Sequence, residues 1–223
     1  MTRRWETAVL AIATAIAGLV LLALAYAGPA TYADIATHEG FARTEFVARD
    51  GGRTVLELPE LVGIHNGWVR YITGHGGPPG GSTLTDFFTA DEQRHMSDVR
   101  RVFVGFEIAA LFSVAVATVL VARAAKRSRT AALFVLRDAA IVSGVGAAAV
   151  ALAAVVAFDP LFLLFHEIFF PQGNFLFGPD SNLLLLYPDP YWYGVTLRVG
   201  GTFVLVMAII AIAAAATLRR ARR

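Results

Sequence analysis

His166-Glu167-Ile168-Phe169-Phe170-Pro171-Gln172-Gly173-Asn174-Phe175-Leu176-Phe177-Gly178-Pro179-Asp180-Ser181-Asn182-Leu183, running on to Tyr187-Pro188, lies between two long apolar runs. No Lys or Arg occurs from Asp159 to Gly194. An ordinary connecting loop is polar and uniform. This one joins an ionisable imidazole and turn-forming Pro, Gly, Asn and Asp to a crowd of rings. It reads as a segment folded back onto a membrane surface, where aromatic side chains favour the headgroup level.

The rest of the composition agrees with that placement. A chain of 223 residues that is 57% hydrophobic, with a mean hydropathy of +0.61, is too apolar for one soluble core and belongs to the membrane class. The formal net charge is +2, but the basic residues gather in short clusters beside the apolar runs, as cytoplasmic anchors do, so nucleic acid is not expected as a partner. The absence of cysteine excludes a disulfide framework, a thiol nucleophile and thiolate metal ligation.

Working outward, the hydrophobic runs divide the chain. Thr2-Arg3-Arg4 precedes a first span within 1–27, long enough to cross a hydrocarbon core of roughly 30 Å. A cleaved secretory signal is the competing reading, because Ala25-Tyr26-Ala27 has the small-x-small form of a cleavage site, although the apolar region exceeds the usual ~7–15 residues. Residues 28–88 are mixed and polar and read as a small cap. Within it, Thr44–Ala48 and Thr54–Leu58 flank Gly51-Gly52 as a β-hairpin, Leu61–Ile72 reads as a short helix, and Gly74–Gly81 breaks regular structure. Thr89-Ala90-Asp91-Glu92 is a capping-box pattern that opens a helix continuing into the second span, 89–121. A basic turn over 122–132, with Arg123, Lys126, Arg127 and Arg129, leads to the third span at 133–158, near whose inner end lies Arg137-Asp138. The aromatic interfacial segment occupies 159–194, the fourth span 195–218, and a basic tail 219–223. Four spans put all the basic clusters on one side, so both termini are expected in the cytoplasm and the cap and aromatic segment outside it. The fold expected is an all-α membrane protein: a four-transmembrane-helix bundle with a small extracytoplasmic cap containing a β-hairpin.

Two histidines fall at the same outer depth. His95 lies seven positions before Val102, about 10 Å along a helix axis, and Asp98 follows it one turn later on nearly the same face. His166 follows Leu161-Phe162-Leu163-Leu164-Phe165, a segment suited to the interface. Imidazole takes and returns protons near neutral pH. Two of them at a lipid–water boundary suit acyl transfer, one accepting a proton from the attacking group and the other donating to the carbonyl oxygen as charge develops. The bland reading of each is a solvated interfacial histidine.

Other arrangements compete. Gly-x-Ser-x-Gly is absent, which leaves Ser82, Ser97 and Ser181 as turn or capping residues before they are nucleophiles. A metal set of His95 and His166 with Glu167 or Asp98 lacks the spacing of His-Glu-x-x-His, so neither metal nor cofactor is expected, and His65 and His75 lie in the cap. Glu107 and Arg198 are candidates for an intramembrane ion pair. Tyr71, Phe87, Phe88, Phe169, Phe170, Phe175, Phe177, Tyr187, Tyr191, Trp192 and Tyr193 ring the same level, as interfacial anchors or as walls for acyl chains.

Glu92-Gln93-Arg94-His95-Met96-Ser97-Asp98-Val99-Arg100, then His166–Phe177, then Leu183-Leu184-Leu185-Leu186-Tyr187-Pro188 resemble a bacterial integral-membrane family whose characterised member is the lipoprotein intramolecular transacylase. The resemblance covers nearly the whole chain in layout, and its specific part is the two histidine blocks. It implies four transmembrane helices in the cytoplasmic membrane under an extracytoplasmic cap, with catalytic histidines corresponding to His95 and His166. The reaction implied moves the sn-2 acyl chain of an S-diacylglyceryl cysteine onto that cysteine's α-amino group, giving a lyso-form lipoprotein. Diacylated lipoproteins and membrane lipid are the partners expected. Either histidine can be the base. Asp98, Tyr71, Phe88, Phe170, Asn174, Phe175, Tyr187 and Arg198 are the residues expected around the substrate. The alternatives are a non-catalytic membrane scaffold that binds lipoproteins or other membrane proteins, and a metal-dependent lipid hydrolase.

Overall fold

The structure is a computed structural model that describes residues 2–80 and 82–221. The readings placed on Gly81 and on Arg222-Arg223 lie outside these residues, as do the side chains of Thr2, Arg3 and Ser82. The elements run α1 (Thr2–Tyr26), α2 (Pro29–His38), β1 (Arg43–Val47), β2 (Arg53–Glu57), α3 (Leu58–Ile72), α4 (Ser82–Phe87), α5 (Ala90–Arg127), α6 (Arg129–Val156), α7 (Phe158–Phe169), α8 (Asn182–Leu186) and α9 (Asp189–Arg220). Helices α1, α5, α6 and α9 are long and apolar enough to cross a membrane. The four-span, mainly helical fold expected from the sequence is the one observed, with one small antiparallel hairpin.

The chain forms two compact units. The first comprises 1–24, 106–156 and 196–223. Its inner contacts set alanines against larger side chains: Leu10, Ala11, Leu120, Ala124, Ala132, Val135 and Ala139 form one buried cluster, and Ala140, Phe203 and Met207 form another. Lipid tails are as apolar as these side chains, so close backbone approach rather than hydrophobic transfer drives such packing. Gly18 supplies one notch, since a Cβ there would stand 2.6 Å from the Phe203 ring. Gly18→Leu is therefore expected to destabilise the protein by about 1–3 kcal/mol, the usual cost of overpacking, and to lower its unfolding temperature in detergent; an unshifted transition would contradict this contact. The outward faces carry Ile108, Leu111, Phe112, Val145, Leu152 and Ile212, all exposed. Glu6, almost fully buried, receives two hydrogen bonds from Arg127 at 2.7 and 2.5 Å, a bidentate pair that the sequence reading did not anticipate. Arg137 and Asp138 do pair, at 2.6 Å.

The second unit comprises 25–105 and 157–195. Its core gathers Tyr32 and Ile35 of α2, Phe46 and Leu56 of the hairpin, Leu61, Ile64 and Trp68 of α3, and Phe88, Met96, Leu183, Leu186, Tyr187 and Tyr191. Arg43 pairs with Glu57 and Val47 with Arg53 across the hairpin, and Gly51 takes φ +85° in its turn, a conformation that favours glycine. The second strand stops at Glu57 because Leu58-Pro59 starts α3, with Glu57 and Glu60 forming a reciprocal cap. Helix α3 thus begins three residues earlier than the pattern of apolar residues suggested. Gly67 does not weaken it: a Cβ there would stand 3.1 Å from Pro79, so the glycine admits the Pro78-Pro79 turn against the helix.

The segment 159–194, read as an interfacial loop, is partly helical. Helix α6 ends at Val156 and α7 follows directly, α8 is a short turn of helix, and α9 starts at Asp189 with Pro190 in its first turn. Asn182 fixes α8 to the hairpin. Its carboxamide accepts from Val47 N (2.9 Å) and donates to Val47 O (2.7 Å) and Phe87 O (2.6 Å), which satisfies the buried group completely.

Candidate functional site

Helix α5 opens with the expected capping box. Thr89 N and Oγ1 both donate to Glu92 Oε2, at 2.7 and 2.9 Å, and Glu92 N donates to Thr89 Oγ1 at 3.2 Å. The other oxygen of Glu92 has a long-range role. Oε1 accepts from Ser181 Oγ (2.6 Å) and from Leu183 N (3.0 Å), so the buried carboxylate joins the start of α5 to the start of α8.

One turn further along α5, His95 is 6% exposed, and its Nδ1 has no hydrogen-bond partner among the described residues. A buried polar atom left unpaired is costly and calls for a reason. Across from it stands His166 of α7, with ring centroids 6.1 Å apart and planes within 17° of parallel. His166 Nδ1 lies 2.8 Å from Phe162 O. A carbonyl only accepts, so Nδ1 carries the proton and Nε2 keeps its lone pair. Burial pushes the His166 imidazole below its ordinary pKa, against the opposing pull of that carbonyl. The ring therefore stays neutral at neutral pH.

Aromatic side chains enclose the pair. Phe170 lies 4.8 Å from the His95 ring and 5.5 Å from that of His166, Phe177 lies 5.5 Å from His95, and Phe175 lies 5.1 Å from His166. Phe162, one turn before His166 on α7, packs on its ring at 4.4 Å. Asn174 reaches the His95 imidazole and also donates to Asp98 Oδ2 at 2.5 Å. Gln172 donates to the same oxygen at 2.7 Å, and Arg101 pairs with Oδ1.

Of the residues expected around a substrate, the structure thus gathers Phe170, Asn174 and Phe175 with His95 and His166, with Asp98 behind them. Phe88, Tyr71 and Tyr187 have other ring neighbours. Phe88 is fully buried in the core, edge-on to Trp68 and Phe46. Tyr71 packs on Trp68 and lies under the guanidinium of Arg100. Tyr187 is buried with its hydroxyl 3.1 Å from His65 Nδ1. Arg198 belongs to the first unit, as does Glu107. Among the described residues no group of three or more His, Cys, Asp or Glu side chains is arranged to hold a metal ion. A separate cleft of about 330 Å³, lined by Gly63, Ile64, Gly67, Arg70 and the Pro78-Pro79 turn, contains neither imidazole of the pair.

His65 is the histidine that sequence reasoning passed over. Its Nε2 lies 3.0 Å from Ala27 O, which makes Nε2 the donor and leaves Nδ1 to accept from the Tyr187 hydroxyl; the ring stacks on Tyr32 at 4.4 Å. Desolvation lowers its pKa to about 4, outweighing the backbone carbonyls of Ala27 and Gly28. The folded state therefore resists a proton that the unfolded chain accepts near 6.5. Stability is unaffected above pH 6.5 and declines as pH falls from 6.5 to about 4, by a total of about 3 kcal/mol at ~1.4 kcal/mol per pKa unit. Unfolding in detergent followed from pH 7 to pH 4 should show a slope to which His65 contributes, and His65→Phe should make it shallower; an equal slope in the variant would contradict the assignment.

Four apolar helices and an imidazole pair walled by aromatic rings, one ring buried and the other half-buried, define a multi-pass membrane protein with acid–base groups shielded from water. The family model of the lipoprotein intramolecular transacylase Lit matches residues 8–192, and the chain belongs to that family. It is accordingly an acyltransferase of the intramolecular transacylase class, acting on lipoproteins. The chain is similar to the in meso structure of the membrane integral lipoprotein intramolecular transacylase Lit from Bacillus cereus, at 17% identity and a TM-score of 0.79 over 100% of this chain and 98% of that one. Two further structures of the Bacillus cereus protein, each with one histidine replaced, match as well. The histidine-to-arginine form has 16% identity and a TM-score of 0.73 over 100% and 94% of the two chains. The histidine-to-alanine form has 15% identity and a TM-score of 0.76 over 99% and 96%. At these identities the likeness is one of fold. No curated protein sequence matches the chain.

Proposed function

We propose that this protein moves the sn-2 acyl chain of an S-diacylglyceryl cysteine, at the N-terminus of a diacylated lipoprotein, onto the α-amino group of the same cysteine, and that His95 and His166 carry the reaction. The observation that carries this reading is the unpartnered, buried Nδ1 of His95 facing a second imidazole whose tautomer is fixed.

An α-amino group has a pKa near 8 and arrives mostly protonated at neutral pH. His166 Nε2, with Nδ1 held by Phe162, takes that proton. The freed amine attacks the sn-2 ester carbonyl, and His95 Nδ1 donates a hydrogen bond to the oxygen as negative charge develops. As the C–N bond forms and the ester C–O bond breaks, the departing sn-2 oxygen receives the proton from the imidazolium and the attacking nitrogen gives its remaining extra proton to water, so both rings return to neutrality and one proton is released overall. Donor and acceptor belong to one molecule, so orientation supplies much of the acceleration, and no acyl-enzyme is needed. Phe170 and Phe175 wall the acyl chain, and Asn174 steadies the His95 ring.

The second unit faces the outside of the bacterial cytoplasmic membrane in this reading, where lipoprotein acyl esters lie. The basic residues Arg123, Lys126, Arg127, Arg129, Arg219 and Arg220 gather at one end of the spans, which supports a cytoplasmic side there and both termini on it. The test is direct. Purified protein in proteoliposomes, given a synthetic diacylglyceryl lipopeptide, should yield by mass spectrometry a lyso product of unchanged total mass with the acyl group on nitrogen. Recovery of only the starting isomer would reject the reading.

A further inference from the structure

From Phe170 to Ser181 the chain has neither helix nor strand, yet this segment supplies the rings that close on both imidazoles. Two carboxylates of α5 hold it, one three residues before His95 and one three residues after. Glu92 takes the far end through Ser181 and Leu183. Asp98 takes the near end: a single oxygen, Oδ2, accepts from both Gln172 and Asn174, and Gln172 also donates to Asn174 Oδ1 at 3.2 Å. The turn between them is tight, with Gly173 at φ +74° and its N–H donating to Phe170 O at 2.9 Å. The Asp98 side chain is 12% exposed while that of its ion-pair partner Arg101 is 76% exposed, so the cation lies at the rim and the latch lies beneath it.

We propose that Asp98 is a positioning residue that latches the Gln172–Asn174 turn to α5, so that the aromatic wall excludes water and the acyl group passes to the amine rather than being hydrolysed. The inference rests on the transacylase reading above. Both reactions break the same sn-2 ester bond and release the same alcohol. With the amine as nucleophile the acyl carbon forms an amide; with water it forms a free fatty acid, the water supplying the oxygen and the protons. The wall therefore sets a ratio of products rather than only a rate.

The experiment measures N-acylated lyso-lipopeptide against released fatty acid, by mass spectrometry, for the full-length protein in proteoliposomes. Asp98→Asn and Gln172→Ala should each raise the ratio of fatty acid to N-acylated product about tenfold, the first by weakening the acceptor and the second by removing a donor from the turn. Arg101→Gln should keep the unaltered ratio. Gln172 is exposed and its replacement leaves the core untouched, so Gln172→Ala decides the matter if Asp98→Asn does not fold. An unchanged ratio in the folded variants, whether or not the overall rate falls, overturns the latch, as does an equal rise in Arg101→Gln. Absence of N-acylation by the unaltered protein overturns the transacylase reading itself, and is read separately from these ratios.

Discussion

His95→Ala and His166→Ala are each expected to lower transacylation by about 10²–10⁴-fold, the range for loss of a positioned acid–base group, without loss of folded protein. The two rings act on one proton inventory: His166 takes the proton that frees the amine, and His95 answers the charge that the freed amine creates. Groups that act as a unit are not additive, so the double variant should be little slower than the worse single one. His166 lies on α7, which contributes no buried side chain of its own, so its truncation leaves the core of the second unit in place. His95 is more enclosed, and its variant should be checked by thermal unfolding before its rate is interpreted. Wild-type turnover in either folded variant would remove the pair from the chemistry.

Glu92→Ala is expected to be the most damaging single change outside the imidazole pair. The carboxylate is 2% exposed and is the acceptor for four donors: Thr89 N, Thr89 Oγ1, Ser181 Oγ and Leu183 N. Truncation leaves buried donors unpaired at about 1–3 kcal/mol each, partly offset by water that enters, for a loss of about 3–5 kcal/mol, comparable to breaking a buried charged interaction. Glu92→Gln keeps one acceptor oxygen but places an NH₂ group against donors, and should lose an intermediate amount. A marked fall in unfolding temperature in detergent is the expected result. A variant that unfolds with the wild type would mean that Ser181 and Leu183 find other partners.

Much of the architecture could be read from local pattern. Four apolar runs, each flanked at one end by basic residues, gave the spans, because hydrocarbon thickness dictates their length. The Gly51-Gly52 turn gave the hairpin, and Thr89 with Glu92 gave the start of α5, because each is a short-range device. Helix α2 was missed: its buried residues are only Tyr32, Ile35 and Ala36, too few to set up a period, and its one sequence signal was Pro29 after Gly28. The helical character of α7 was obscured by its aromatic density, which reads equally as loop or helix.

The site was legible in its two histidines and obscure in almost everything else. Their depth could be estimated from position along each apolar run, but their meeting within 6.1 Å depends on the fold of the whole second unit. Asp98 was read as a substrate contact from its spacing to His95. That spacing does put it beside the site, but its donors come from residues 74 and 76 positions away in sequence, which no local pattern encodes. Phe88, Tyr71 and Tyr187 show the same limit from the other side. An aromatic residue near a boundary is equally at home in a core or in a wall, and these three went to the core or to its edge. His65 looked like an incidental cap residue because nothing near it in sequence announces Ala27 and Tyr187 as its partners.

The claim on which the account depends is that amine and ester meet on one substrate molecule between two imidazoles. A crossover experiment tests it: two diacylglyceryl lipopeptides of different peptide mass, one with deuterated acyl chains, are mixed in proteoliposomes with the protein. The account requires deuterated N-acyl groups only on the peptide that entered with deuterated chains. Deuterated acyl groups on the other peptide, at the level expected from mixing, would contradict it.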